Sequence, residues 1–405
     1  MTMRPSVVVV VAVAITFMQS PVGLTQPSTT DFYFIADLGT LGGAQSAAAG
    51  INEPGQVVGS AVRSDGTTHA FLFDGTAMRD LGTIGGTDSA AADVNRAGQV
   101  VGRSLSVLGN TKGFIYSGGV RRSFGTLGGS NSAAYGINDY GDVVGSATTT
   151  GNAATRAFLY RNGTMKSLGT LGGTNSVATS INEGGEITGS SSTPGNAATH
   201  AFLVRDGTMI DIGTLGTSSE GFGINNATEV VGRSQLASGA SHAFLYSGGM
   251  MADLGTLGGR NSEAAAINDF SQVVGASEVA GGSGTHAFLY QHGVMTDLNT
   301  RLRPGSGWLL ETATAINLEG EIAGVGIING QRHAYRLMQP AKLGLVLGGA
   351  LSQIDSNVPR KGVQVGRSIL FVTSVAAIND LNAQNVVLTD TMQGPIEIVS
   401  VRCGK

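Results

Sequence analysis

Five of the six histidines in this chain recur at multiples of about 44 residues: His69, His200, His242, His286 and His333. The same interval puts Lys112 and Arg156 at the two places between His69 and His200. Imidazoles at equivalent positions could form a metal ring, because neutral histidine is the commonest protein metal ligand. Charged Lys and Arg cannot ligate a metal, and ligands must converge to about 2 Å from one ion. What the three residue types share is an N–H donor. The expectation is therefore that each side chain donates to a neighbouring carbonyl or turn, with no metal and no other cofactor required.

Asparagine recurs in the same rhythm, at Asn52, Asn95, Asn138, Asn182, Asn225, Asn268 and Asn317. A calcium loop needs several carboxylates at alternating positions. Here the next residue changes from Glu53 to Arg96, Asp139, Glu183, Asn226, Asp269 and Leu318. The pattern reads as a turn in which Asn bonds its own backbone.

An active site is used once, so catalysis would draw on residues that break the rhythm. These are Asp88, Asp93, Tyr135, Glu220, Arg260, Glu263, Arg303, Trp308 and Glu311. Glu220, Glu263 and Glu311 fall in matching segments, and paired carboxylates can hydrolyse glycosides when their separation is right. Spacing alone leaves each as a solvated loop acid. No Gly-x-Ser-x-Gly elbow, phosphate loop or His-Glu-x-x-His motif is present. Trp308, the single tryptophan, lies in the one enlarged loop with Arg301, Arg303 and Glu311 nearby. An aromatic ring among polar groups suits contact with a carbohydrate or a protein partner; the competing expectation is that Trp308 plugs the last structural unit. Ser-, Thr-, Asn- and Gly-rich loops at Thr148–Thr155, Ser191–Thr199 and Glu278–Thr285 are expected to cluster on one rim, where binding commonly resides.

The elements that position these residues are repeats. Asp37-Leu-Gly-Thr-Leu-Gly-Gly43 returns six times with changes, as does Ile51-Asn52 followed by Val57-Val58-Gly59. The third landmark, His-Ala-Phe-Leu, places an aromatic at Phe71, Phe114, Phe158, Phe202, Phe244, Phe288 and Tyr335. Periods of this size mark solenoids, propellers or arrays. Each unit holds four short apolar or β-branched runs divided by Gly, Asn, Asp and Ser; in the third unit they are 122–127, 133–137, 142–146 and 157–160. Four antiparallel strands per unit predict an all-β fold, a seven-bladed β-propeller over residues 31–340. Pairing of the first strand candidate, at Phe32–Ile35, with the last, at His333–Tyr335, would clasp the ring; units that are each a whole blade would leave it unclasped. The sequence is compatible with both.

The Gly-Thr-Leu-Gly-Gly, Ile-Asn…Val-Val-Gly and His-Ala-Phe motifs together resemble the HAF-repeat family of predicted bacterial extracellular proteins, over about Asp31 to Pro340. The segment Leu298 to Trp308, followed by Asn329-Gly-Gln-Arg-His-Ala334, is similar to that family's last repeat. The resemblance implies the repeat fold and an extracellular location, and carries no established chemistry. Asn385-Val-Val-Leu-Thr-Asp-Thr391 resembles the strand motif of DUF11 repeats, which implies a partial Ig-like β-sandwich over 341–405, shorter than the usual sandwich of about 100 residues.

Residues 1–25 have the form of a cleaved signal peptide: Arg4, an uncharged apolar run from Val7 to Met18 too short to span a bilayer, then small residues before the expected cleavage after Thr25. Its removal takes away one Arg and moves the net charge from −4 to −5. No basic stripe is present, which argues against a nucleic-acid partner, and no later stretch is apolar enough to cross a membrane. The lone Cys403 excludes an intramolecular disulfide. The functional expectation is an exported, non-catalytic scaffold, secreted or on the cell surface, that binds an extracellular protein or polysaccharide through one rim. The alternatives are an exported polysaccharide hydrolase or lyase with its site in the central depression, and a structural spacer.

Overall fold

The computed structural model describes residues 32–282 and 284–339, together with two five-residue strands, Val8–Ala12 and Ser400–Gly404, that pair antiparallel. Apart from those two strands, the signal-peptide reading (1–25) and the β-sandwich reading (341–405) lie outside the described residues.

Residues 32–339 form seven four-stranded antiparallel sheets arranged as blades in a ring, a seven-bladed β-propeller. In blade 1 the strands are Gly42–Ile51 (inner), Val57–Arg63 (second), Thr68–Phe73 (third) and Met78–Gly82 (outer). The inner strands crowd the axis and are built from Ala, Gly and Ser; the second and third carry the Val-Val-Gly and His-Ala-Phe-Leu runs. The unit visible in the sequence is offset from the blade by one strand. The run expected at 122–127 holds the end of the outer strand of blade 2, Val120–Ser123, and the linker into blade 3, whose inner strand begins at Gly128.

This offset settles the closure. Blade 7 takes Trp308–Ile316, Ile322–Ile328 and Gln331–Met338 from the end of the repeat region and its outer strand, Phe34–Asp37, from the beginning. Phe34 pairs with Met338 and Asp37 with Tyr335, so the ring is clasped. The apolar core lies between blades rather than within them. Phe71, Phe73 and Val57 of blade 1, for example, pack with Leu38, Ala323 and Ala334 from blade 7.

Two sequence landmarks turn out to be cross-strand partners. The glycine of each Val-Val-Gly sits opposite the aromatic of each His-Ala-Phe: Gly59 faces Phe71, Gly189 faces Phe202 and Gly324 faces Tyr335. The aromatics are almost fully buried. Glycine is required by close approach rather than by its dihedral angles, since a Cβ on Gly189 would lie 2.0 Å from the Val177 carbonyl oxygen and 2.9 Å from Cζ of Phe202.

Buried serines latch one blade to the next. The Ser46 hydroxyl accepts from the Ala334 N–H at 2.9 Å and donates to the Gly39 carbonyl at 2.6 Å. Ser89, Ser132, Ser176, Ser219 and Ser262 accept in the same way from the preceding blade. At the junction of blades 6 and 7 both partners have changed. Leu310 replaces the serine and Asn299 the glycine, and the Asn299 amide restores two bonds by accepting from Leu310 N–H at 2.7 Å and donating to its carbonyl at 3.0 Å.

Candidate functional site

The inner strands run from the Gly-Thr linkers to the Asn turns, so successive connections alternate between two faces. The linker face carries the linkers and the loops between second and third strands. The Asn-turn face carries the Asn turns and the hairpins between third and outer strands.

The seven asparagines do more than shape their turns. Each Oδ1 accepts from the backbone N–H four residues on, as Asn225 does from Glu229 at 2.9 Å. Each Nδ2 also donates to the carbonyl of the corresponding asparagine in the next blade: Asn52 to Asn95, Asn95 to Asn138, and so on to Asn268, which donates to Asn317. Asn317 donates to the Asn52 carbonyl at 3.1 Å, closing the circle. All seven side chains are buried, 2–5% exposed. Residue order points only to the turn half of this role.

The histidines face carboxylates rather than carbonyls. His69, His200, His242, His286 and His333 place Nδ1 2.7–2.9 Å from Asp80, Asp211, Asp253, Asp297 and Asp37, each pair within one blade. The His333–Asp37 pair joins the third strand of blade 7 to the clasp. In blades 2 and 3 the aspartate position holds Ser123 and Ser167, and there the histidine position holds Lys112 and Arg156. Histidine and aspartate therefore change together across the repeats, a signal legible in the sequence. Lys112 does donate to a carbonyl, that of Ser130, at 2.6 Å.

The departures from the rhythm serve different ends. Asp88 accepts the Thr68 N–H, the same task that Asn131, Asn175 and Asn261 perform in their blades. Glu220 and Glu263 share Arg233, at 3.1 and 2.9 Å, with the guanidinium 5.6 Å from the centre of the Phe222 ring. Glu311 pairs instead with Arg332 at 2.8 Å. The three glutamates do not form one acidic centre.

Asp93 sits where the other inner strands carry Gly50, Gly136, Ser180, Gly223, Ala266 and Ala315, a level at which neighbouring strands nearly touch. Its carboxylate accepts from Val94 N–H at 2.8 Å and from Ile137 N–H of blade 3 at 2.9 Å. Burial pushes its pKa up to about 7, the two hydrogen bonds oppose the rise, and Asp139 and Glu183 add to it. The folded-state value lies above the unfolded one, about 3.9. The stabilisation is thus complete below that unfolded value and is lost as pH rises towards 7. Asp93→Gly, the residue found at this level in blades 1, 3 and 5, should remove a fall in unfolding free energy on the order of a few kcal/mol between pH 4 and pH 8; a pH profile unchanged from the parent in urea denaturation would contradict this.

Arg301, Arg303, Trp308 and Glu311 all belong to the closing blade or its entry. Trp308 packs edge-to-face on Tyr335, with ring centres 6.1 Å apart, and lies against the core of blade 7. Arg303 lies over Phe34 at 5.2 Å, and the Arg301 carbonyl accepts the Tyr33 N–H. The Ser- and Thr-rich loops do share the linker face. Several of their polar side chains are bonded locally: Asn152 Oδ1 accepts from Ser130 N–H and Thr148 Oγ1, Asn196 from Thr174 N–H, and Glu278 from Arg260 and Asn261 N–H groups.

The Asn-turn face carries two hollows. One hollow of about 510 Å³ is lined by Tyr140, Asp142, Arg161, Asn162 and the Glu183–Gly185 turn of the next blade. A second, about 280 Å³, is lined by Phe270, Gln272, Gln291, His292, Leu318–Gly320 and Gln339. The two are built from equivalent positions in blades 3 and 6. Arg161 binds Asp142 through Nε at 2.9 Å and Nη2 at 2.6 Å. Burial raises the Glu183 carboxyl, opposed by the Asp139 N–H that it accepts. Tyr140 and Phe270 are 78% and 70% exposed. At their position the other blades have Pro54, Ala97, Gly184, Ala227 and Glu319, so these two aromatics break the repeat and are visible as departures in the sequence. None of the four residues expected around Trp308 lines either hollow.

No family model and no curated protein matches the chain. Solved structures that it resembles include TolB from Acinetobacter baumannii, with a TM-score of 0.41 and 11% identity over 70% of this chain and 63% of that one. Others are a Mycobacterium tuberculosis puromycin-hydrolyzing peptidase (0.49, 12%, 71% and 49%) and the β-propeller domain of the Trilobed protease from Pyrococcus furiosus (0.42, 7%, 72% and 95%). The chain thus spans about half to two thirds of the first two and nearly all of the third. At these identities the likeness extends to the fold alone.

Proposed function

We propose that this propeller is a non-catalytic scaffold, exported and held at or beyond the cell surface, that binds an extracellular partner through its Asn-turn face. The observation that carries the reading is the contrast between two parts of the ring. The out-of-pattern glutamates of the inner strands are each bound to an arginine, whereas the Asn-turn face presents exposed aromatics beside hollows. A seven-fold hydrogen-bonded ring under that face holds it rigid, so little conformational entropy is lost on binding. Export follows from the leader-like residues 1–25 and the resemblance to the HAF-repeat family.

Two variants of the full chain test the choice of face. Ala97→Arg/Ala227→Arg crowds the Asn-turn face at exposed turn positions, and Val107→Arg/Leu108→Arg alters an exposed loop of the linker face. Retention on cell-envelope fractions and insoluble polysaccharides should fall for the first and persist for the second. The opposite result would move the site to the linker face, where the Trp308 loop lies.

A further inference from the structure

Building on that reading, we infer that the two hollows of the Asn-turn face are sugar subsites, each stacking a neutral pyranose of one polysaccharide chain on Tyr140 or Phe270. A pyranose has an apolar C–H face that lies flat on an aromatic ring and a rim of hydroxyls that needs donors and acceptors in the ring's plane. An aromatic body beside polar groups meets both needs.

The structure repeats this arrangement twice from the same positions. The aromatic comes two residues after the ring asparagine. A long polar side chain ends the third strand, as Arg161 or Gln291. A hairpin residue in the left-handed conformation follows, as Asn162 (φ 52°) or His292 (φ 51°). The next blade's turn supplies a carboxylate in each case, though from neighbouring rather than equivalent positions: Glu183 follows its ring asparagine by one residue and Glu319 by two. Several of these groups retain hydrogen-bonding capacity. Arg161 uses Nε and Nη2 on Asp142 and keeps Nη1, and Gln291 accepts from Gln272 through Oε1 and keeps its amide protons.

Charge selects the class of sugar. Glu53, Asp139, Glu183, Asp269 and Glu319 outnumber Arg96 and the Asp142-paired Arg161 on the same face, a net negative field that disfavours uronates and sulfated sugars. Two subsites three blades apart on one rigid face would engage a polymer at two points, where affinity gains from effective concentration rather than from new contacts.

The test uses the full chain with cellulose, chitin, mannan and dextran as neutral probes and alginate as the anionic control. Tyr140→Ala, Phe270→Ala and the double variant remove only exposed rings, and their thermal midpoints should match the parent. At least one neutral polymer should be retained and alginate should not. Each single variant should weaken retention about tenfold, and the double variant should abolish it. Undiminished retention by the double variant would overturn the sugar subsites while leaving a scaffold that binds elsewhere. Failure to retain any neutral polymer would overturn them as well, and so would alginate binding. Capture of an envelope protein by the parent but not by the double variant, with no sugar bound, would leave the face in use as a protein interface and the sugar inference wrong.

Discussion

Gly189→Ala is expected to cost about 3 kcal/mol or more, although it adds a single methyl group. That methyl would stand 2.0 Å from the Val177 carbonyl oxygen, 2.8 Å from the Ala178 Cα and 2.9 Å from the Phe202 ring. Two of these are backbone atoms of the adjacent inner strand, which cannot swing away as a flexible side-chain end can. Relief requires separating the inner and second strands of blade 4 where the inner strand already shifts register, between Ala178 and Ser180. A control separates steric from conformational cost. Gly163 has φ +78° and nothing within 4 Å of where a methyl group would stand, so Gly163→Ala should cost about 1–2 kcal/mol from left-handed backbone alone. Urea midpoints of the two variants decide the matter; equal losses would show that the close approach at Val-Val-Gly is not what demands glycine.

Asn225→Ala should be similarly severe, at about 3 kcal/mol. The side chain accepts from Glu229 and Ala227 N–H and donates to the Glu229 carboxylate and the Asn268 carbonyl. Truncation leaves buried partners unsatisfied, and each such group costs about 1–3 kcal/mol. It also opens a head-to-tail cycle whose members polarise one another. Asn225→Asp is the sharper probe because it keeps shape and acceptor but replaces the donor. Its carboxylate would face the Glu229 carboxylate and the Asn268 carbonyl oxygen, so its folded pKa should rise above the unfolded value. The penalty is then present at neutral pH and shrinks as pH falls and the proton is regained. Chemical denaturation at pH 7 and pH 4.5 should show the variant recovering relative to Asn225→Ala on acidification. A pH-independent gap between the two would mean that the amide proton does not matter.

These two sites show what can be read from residue order and what cannot. The fold class is legible because three landmarks recur seven times at a blade-sized period, and tight turns separate runs too short for helices. The blade frame is not. A repeat is periodic wherever its cut is placed, and only the pairing of Phe34 with Met338 shows that the outer strand of blade 7 comes from the other end of the repeat region. The Asn turn is recognisable from its local chemistry, but the bond from Asn182 to the Asn225 carbonyl joins residues 43 apart and depends on how blades stand beside one another. The joint change of His with Asp, and of Ser46-type serines with linker glycines at Leu310 and Asn299, lies in the sequence as covariation among repeats. It becomes visible once strand pairing says which columns to compare. Tyr140 and Phe270 can be seen in the sequence as departures from the repeat, but an exposed aromatic in a turn carries no motif, and its meaning comes from the hollow beside it.

Binding without catalysis at the Asn-turn face is tested by retention of the purified full chain on the neutral polysaccharide panel, followed by an assay of new reducing ends on whatever is retained. Retention that depends on Tyr140 and Phe270, with no reducing ends appearing, is the predicted result. Reducing ends released by the parent and lost when Glu220 or Glu263 is changed to Gln would contradict it, and would make the Arg233-linked carboxylates of the inner strands a catalytic centre.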